Sequence, residues 1–456
     1  MRKFLRRGFL ILVLTVLCAA AAEKYLQQQR AEEEVLAVVK TVLPEELKKE
    51  TKILAIDRTK EEAELPASYD YRQEGRAPRV RDQEQFETCW AFASLTALES
   101  TLLPEEEPDF SRDHLSFHNS FEMAPDEGGS YIMSVAYLTA WQGPVYEEDD
   151  PYGDHISPLG LRAVRHVQEV RMPADKDYEA IKRIIYLHGG VESSLYVDFS
   201  DPREPSEYFN RTNFSYCYEG EEAPNHDVVI IGWDDAYPAE NFRMPAPGNG
   251  AFICQNSWGT GFGDGGIFYV SYYDTNIGKY NAAFTRIEAE DNYDVLYQSD
   301  LCGWCGQVGY NTDRASFASI YTATGNQRLQ AFGFYATGRD TEYRLAVRTD
   351  YEDEKDLEEV EYVQSGYLQD PGFYTIALET PVDVREGERF AAVVEIMTPD
   401  AVCPIAVEYA SEELGKAVNL EDGEGYISPD NRHWERVEVE QTSNLCLKVY
   451  AEDTDE

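Results

Sequence analysis

Cys89, His226 and Asn256 are the residues of this 456-residue chain whose types could cooperate in nucleophilic chemistry. Cys89 follows Thr88 and opens an Ala- and Leu-rich stretch, Trp90 to Leu103, that stops at Pro104. The pattern predicts a buried helix with Thr88 as N-cap and Cys89 in its first turn. There the unpaired backbone N–H groups and the positive end of the helix dipole favour a thiolate over a thiol. His226 stands at the mouth of the apolar run Val228 to Ile231, which reads as a buried strand. Asn256 ends a second such run, Ala251 to Gln255, ahead of Trp258 and a Gly-rich turn from Gly259 to Gly263. An asparagine carbonyl that accepts the imidazole N–H fixes the ring orientation, which a Cys–His pair needs. Each residue alone also reads as plain structure: a small buried thiol, a histidine held by its strand, an asparagine closing a turn.

The elements that must bring these residues together lie in a chain with 85 acidic and 40 basic side chains, so the net charge is 40 − 85 = −45. Such a surface repels phosphate backbones, which excludes nucleic acid as a partner, and its own effect is solubility. With 43% hydrophobic residues the chain can fill a core, and its length suggests two or three domains. Arg2, Lys3, Arg6 and Arg7 precede an apolar run from Gly8 to Cys18, and Ala19 to Ala22 follow. Residues 1–22 therefore read as an export signal cleaved after Ala22, with retention as a membrane anchor the alternative. This places the mature chain outside the cell or on the outer face of its membrane. Residues 23–64, with Leu36, Val39, Val42 and Leu43 at helical spacing, read as a helical spacer or short pro-segment. Residues 65–287 mix a strong helix with β-rich runs, residues 288–450 show short strands separated by Gly, Asp and Pro turns, and 451–456 form an acidic tail. Removing Cys18 with the signal leaves 8 − 1 = 7 cysteines, an odd number for an oxidising compartment.

Together the three segments resemble the papain family of cysteine proteases, in which the His and Asn follow the Cys by about 130–150 residues. Here 226 − 89 = 137 fits, and 256 − 89 = 167 overshoots by an insertion placed at Ala236 to Gly250. Leu65-Pro66 with Asp70-Tyr71-Arg72, the pair Gly128-Gly129, and Gly143-Pro144-Val145 to Pro151-Tyr152 resemble further landmarks of that family. The resemblance implies an α+β fold, a two-lobed catalytic domain with a helical lobe and a β-barrel-like lobe. It implies Cys89 as nucleophile, His226 as general base and acid, Asn256 as the orienting residue and Gln83 as oxyanion donor. Trp258 would shield the His–Asn bond, and Gly128 and Gly129 would bind substrate through their backbone. Asp227 falls in the main specificity pocket, where its carboxylate favours a basic or polar side chain at the second residue before the cleaved bond. Protein or peptide substrates follow, with no cofactor and no metal. Three departures stand out: Phe86 and Asp126 replace a usual disulfide, Phe262 replaces a Trp, and a long inhibitory pro-domain is lacking.

The β-rich region resembles the lectin-like domain that follows some papain-like catalytic domains, through Leu296-Tyr297-Gln298-Ser299-Asp300, Gly303-Trp304 and Gly309-Tyr310-Asn311. It is expected to be an all-β sandwich that could dock to a cell surface or a glycan, with Trp304 and Tyr310 either stacking on sugars or packing in a core. Cys302 and Cys305 are expected to bridge each other or Cys403 and Cys446, and Cys217 to pair with Cys254, leaving Cys89 as the thiol. The rival reading is a catalytically idle scaffold whose β domain binds a surface.

Overall fold

The structure, a computed structural model, describes residues 64–454 apart from 122, 125–126, 155, 199–205, 359 and 410–417. The expected export signal, nearly all of the 23–64 spacer, the end of the acidic tail and Asp126 lie outside the described residues. Among the described residues no helix is long and apolar enough to cross a membrane.

Four helices of seven residues or more lie in the first half among the described residues: α1 (Cys89–Leu102), α2 (Arg112–His118), α3 (Tyr131–Thr139) and, packed on strands, α4 (Tyr178–Leu187). Helix α1 is buried from Trp90 to Ser100, so its apolar residues need no single face, and it ends where Leu103 precedes Pro104. Its one buried acid, Glu99, is held by the fully buried Arg112 through bonds of 2.6 and 2.8 Å. Removing one partner of such a pair costs about 3–5 kcal/mol, because the other charge is left buried. Ser111, Ser130 and Asp177 cap α2, α3 and α4 by accepting the N–H of His114, Ile132 and Ala180. Thr88 does not cap α1 as expected; its hydroxyl is instead paired with the Tyr152 hydroxyl at 2.7 Å.

The strands in chain order are β1 (Ser68–Asp70), β2 (Arg165–Arg171), β3 (Val191–Leu195), β4 (Phe209–Asn210), β5 (Ser215–Tyr216), β6 (His226–Asp234), β7 (Ala251–Gln255), β8 (Ile267–Ser271) and β9 (Lys279–Ala289) in the first half. The second half holds β10 (Val295–Tyr297), β11 (Gly306–Val308), β12 (Arg314–Thr322), β13 (Gln327–Ala336), β14 (Thr341–Arg348), β15 (Gln364–Leu368), β16 (Gly372–Val384), β17 (Arg389–Met397), β18 (Ile405–Glu408), β19 (Gly425–Ser428), β20 (Glu435–Arg436), β21 (Asn444–Leu445) and β22 (Leu447–Asp453). This is the expected α+β arrangement, a helical lobe against strands followed by an all-β half. The six-stranded sheet β15-β14-β17-β12-β19-β20 shares an apolar core with β10, β22, β13 and β16, which makes the second half a sandwich.

The largest sheet does not stop at the boundary between the halves. It runs β10-β22-β13-β16-β2-β9-β3-β6-β7-β8-β5-β4, with β1 added to β6. The join is the pairing of Gly372–Tyr374 with Arg171–Glu169. Gly372 sits at φ +147°, and a Cβ there would lie 2.0 Å from the Val170 carbonyl oxygen, so only glycine lets the two backbones meet. Cys302, Tyr335, Phe373, Ala406 and Cys446 of the second half are buried in the same cluster as Trp90, Leu98, Tyr137 and Val170 of the first. The core of the first half thus extends into the second, which also holds a core of its own.

All seven described cysteines carry thiols, and none of the expected disulfides is formed. Cys217 packs with Tyr237 and Phe242 in a satellite cluster while Cys254 belongs to the main core, so the two are held apart by different packing. The Cys305 thiol donates to the Cys302 carbonyl at 3.0 Å, and that of Cys302 to the Ser120 carbonyl at 3.5 Å. Trp304 lies against Tyr335 at 5.7 Å between ring centroids, and Tyr310 packs on the sandwich core; both follow the packing reading.

Candidate active site

Helix α1 delivers Cys89 as its first residue, partly exposed, while the Trp90 beside it is buried. Strand β6 packs on α1 and starts at His226. The backbone N–H groups of Trp90 and Asp227 point at the Cys89 sulfur, which seats it beside the histidine's own strand neighbour. Strand β7 ends one residue before Asn256, whose Oδ1 lies 2.8 Å from His226 Nε2. The same Oδ1 accepts the Ser257 N–H at 2.8 Å, which fixes the amide with its carbonyl toward the ring. Nε2 must therefore carry the proton and donate it, and Nδ1 is left as the acceptor. Trp258 stacks on His226, with ring centroids 4.5 Å apart and planes at 25°, and Phe262 meets Trp258 edge-on at 5.0 Å. Phe262 thus packs at the place the resemblance gives to a Trp.

Gln83 is buried and its amide is tied at both ends. Ser257 Oγ donates to Gln83 Oε1 at 2.6 Å, and Gln83 Nε2 donates to the Phe86 carbonyl at 2.8 Å. The Gln83 backbone N–H is held by the Ser257 carbonyl at 2.7 Å, and its carbonyl accepts the Tyr152 hydroxyl at 2.9 Å. Gly128 has φ +86° and nothing near its missing Cβ, while a Cβ on Gly129 would fall 2.3 Å from the Trp90 indole. The pair therefore lets backbone lie flat beside the start of α1.

Burial sets the electrostatics. It pushes the Cys89 thiol up, an effect increased by Asp227 and Glu192 and opposed by the two backbone N–H groups. It lowers His226 to about 4, against the pull of Asn256. Neither group ionises alone; proton transfer from one to the other buries no net charge, so the pair can ionise where the single groups cannot. Asp227 is raised to about 6 by burial, and its carboxylate accepts the Ser194 hydroxyl at 2.5 Å. Glu192, fully buried, is raised well above the ordinary carboxyl range by burial and by Asp227, and accepts the Ser94 hydroxyl.

Of the sequence-derived residues, His226 thus contacts Asn256 and Trp258, Cys89 meets the backbone N–H of Asp227, next in sequence to His226, and Gln83 joins them through Ser257, the neighbour of Asn256, while Gly129 lies against Trp90. Sequence reasoning missed Ser257 and Glu192. Ser257 adjoins Asn256, but only the fold puts Gln83 opposite it; Glu192 sits in Val191–Leu195, where alternation of Glu192 and Ser194 on one face was the available signal. No group of three or more His, Cys, Asp or Glu able to hold a metal occurs among the described residues.

Comparison with known proteins gives two family matches: the papain family cysteine protease over residues 65–286 and the lectin like domain over residues 296–451. Cysteine proteinase 2 of Entamoeba histolytica is 28% identical over 211 residues, 44% of this chain and 62% of that protein. Cathepsin K of Gallus gallus is 29% identical over 213 residues, 45% of this chain and 59% of that protein. The chain thus spans about three fifths of the length of such relatives. Among solved structures, clostridial cysteine protease Cwp84 after propeptide cleavage shares the fold, with TM-score 0.74 at 22% identity over 85% of this chain and 99% of that one. The cysteine protease and lectin-like domains of Cwp84, a surface layer associated protein of Clostridium difficile, give 0.72 at 21% identity, covering 86% and 90%.

Proposed function

Because the chain joins a papain-family cysteine protease domain to a lectin-like domain, we propose that it is an exported cysteine peptidase that cleaves peptide bonds through Cys89 and His226. The observation that carries this reading is the tethered set around Cys89, with His226 held by Asn256 and the Gln83 amide held by Ser257. His226 Nδ1 takes the thiol proton, and the thiolate adds to the scissile carbonyl. The oxyanion is met by the Cys89 backbone N–H and the second Gln83 amide proton; one such donor is worth about 3 kcal/mol. His226 gives its proton to the leaving amine as the C–N bond breaks, and water, deprotonated by His226, clears the thioester to acid and free thiol. Gly128 and Gly129 present backbone to the substrate chain, and Asp227 faces a basic or polar side chain at the second residue before the scissile bond.

Two features support a location outside the cell: the export-type pattern of residues 1–22 and the surface-layer association of the fold relative. We place the change from peptidase to lectin-like domain near residues 287–288, and assign the second domain docking to a surface or glycan. An idle scaffold has no need of the Ser257–Gln83 tether, which is why the peptidase is preferred. The test is labelling of the wild-type protein by a thiol-directed epoxysuccinyl inhibitor beside Cys89→Ala. Labelling of the first alone is expected; a folded wild type that resists labelling and cleaves no peptide would favour the scaffold.

A further inference from the structure

The peptidase reading leaves Glu192 unused. It is a fully buried carboxyl whose Oε1 has no hydrogen-bond partner among the described residues. Strand register places it. Ser194 pairs with Asp227 and Glu192 with Val229, so Glu192 and Asp227 are diagonal neighbours on one face of the sheet, about 7 Å apart. That face looks toward α1, whose Ser94 holds Glu192 Oε2. Tyr131, the first residue of α3 and two beyond Gly129, feels the charge of both carboxyls. Among the described residues no cation is paired with either acid, Glu192 carries an unpaired oxygen, and both act on the Cys89 thiol.

We propose that Asp227 and Glu192 form a two-carboxyl receptor for a cationic side chain, Arg or Lys, at the second residue before the scissile bond. This rests on the peptidase reading, narrows its basic or polar preference to a cation, and adds a residue that the sequence did not point to. Asp227, on the cleft side, makes the contact. Glu192 lies one layer beneath and acts through Asp227: without a cation the two like charges oppose each other's ionisation, and an arriving guanidinium removes that conflict. The two carboxyls also hold the Cys89 thiol up, so a bound cation eases formation of the thiolate.

The experiment compares fluorogenic peptides that differ only at that residue, arginine against its neutral isostere citrulline, and lysine against norleucine. The wild-type protein is expected to favour each cation by about tenfold or more in kcat/KM. Glu192→Gln should cut the arginine-to-citrulline ratio to about threefold, and Asp227→Asn should bring it near one. A merely structural Glu192 would lower both rates together and leave the ratio untouched, which overturns the proposal, as does equal or better cleavage of the neutral peptides by wild type. Wild type alone decides the point if Glu192→Gln does not fold. A protein that cleaves none of the peptides and resists the epoxysuccinyl label fails the peptidase reading instead.

Discussion

Replacing Ser257 by Ala removes one hydroxyl and leaves the backbone N–H that fixes Asn256 in place. What is lost is the 2.6 Å bond to Gln83 Oε1, while the 2.8 Å bond from Gln83 Nε2 to Phe86 persists. A neutral hydrogen bond of this kind contributes about 1 kcal/mol net, and the amide keeps one tether, so the oxyanion donor is loosened and not removed. The expected effect is a fall of about fivefold in kcat, the factor that 1 kcal/mol gives. KM should change little, since the donor acts on charge that develops in the transition state. Gln83→Ala removes the donor itself and should cost about 10²–10³-fold. The decisive measurement is the double variant. If Ser257 works only by holding Gln83, adding Ser257→Ala to Gln83→Ala costs nothing more. Steady-state kinetics on one fluorogenic peptide across the four proteins is sufficient, and a fivefold loss that persists without Gln83 would refute the tether.

Phe373→Ala, at a fully buried site opposite Val170 and 5.1 Å from the Tyr335 ring, should destabilise the whole molecule by about 3–5 kcal/mol. Calorimetry, fluorescence and loss of inhibitor labelling should shift together; two separate transitions, with labelling surviving the first, would contradict a shared core. Asp227→Asn should change how stability depends on pH. With its folded value raised to about 6 from an ordinary 3.8, the native protein holds a proton that the unfolded chain has already lost, so stability falls as pH rises from about 4 to 6 and is flat above. The variant lacks that loss, so urea midpoints at several pH values should show its advantage growing through this window by up to about 3 kcal/mol, less solvent screening; an advantage that shrinks as pH rises would reverse the sign.

The proposed nucleophile, histidine and asparagine were legible because each stands at the end of a run with a clear period: a helix broken by Pro104 and two apolar strands. Gln83 and the glycine pair came from the family resemblance, which carries loop positions that periodicity does not. Local pattern misled where a tertiary partner competed. Thr88 has the side chain of an N-cap, yet Tyr152, 64 residues on, takes its hydroxyl. The cysteine pairings were inferred from number and compartment, and neither says which sulfur shares a cluster with which. The join of β16 to β2 was invisible, because pairing 200 residues apart leaves no trace in either strand beyond Gly372, an unremarkable residue in sequence.

A sheet that passes unbroken from one half to the other leaves no hinge there. If the sandwich grips an anchored surface, the catalytic groove cannot swing to meet targets at arbitrary height; it is carried at a set distance and angle, like a blade on a fixed arm. Selection among bonds of equal chemistry would then fall to stand-off from the anchor, so that lengthening the stalk of an immobilised target, with its cleaved residues unchanged, moves it in or out of range.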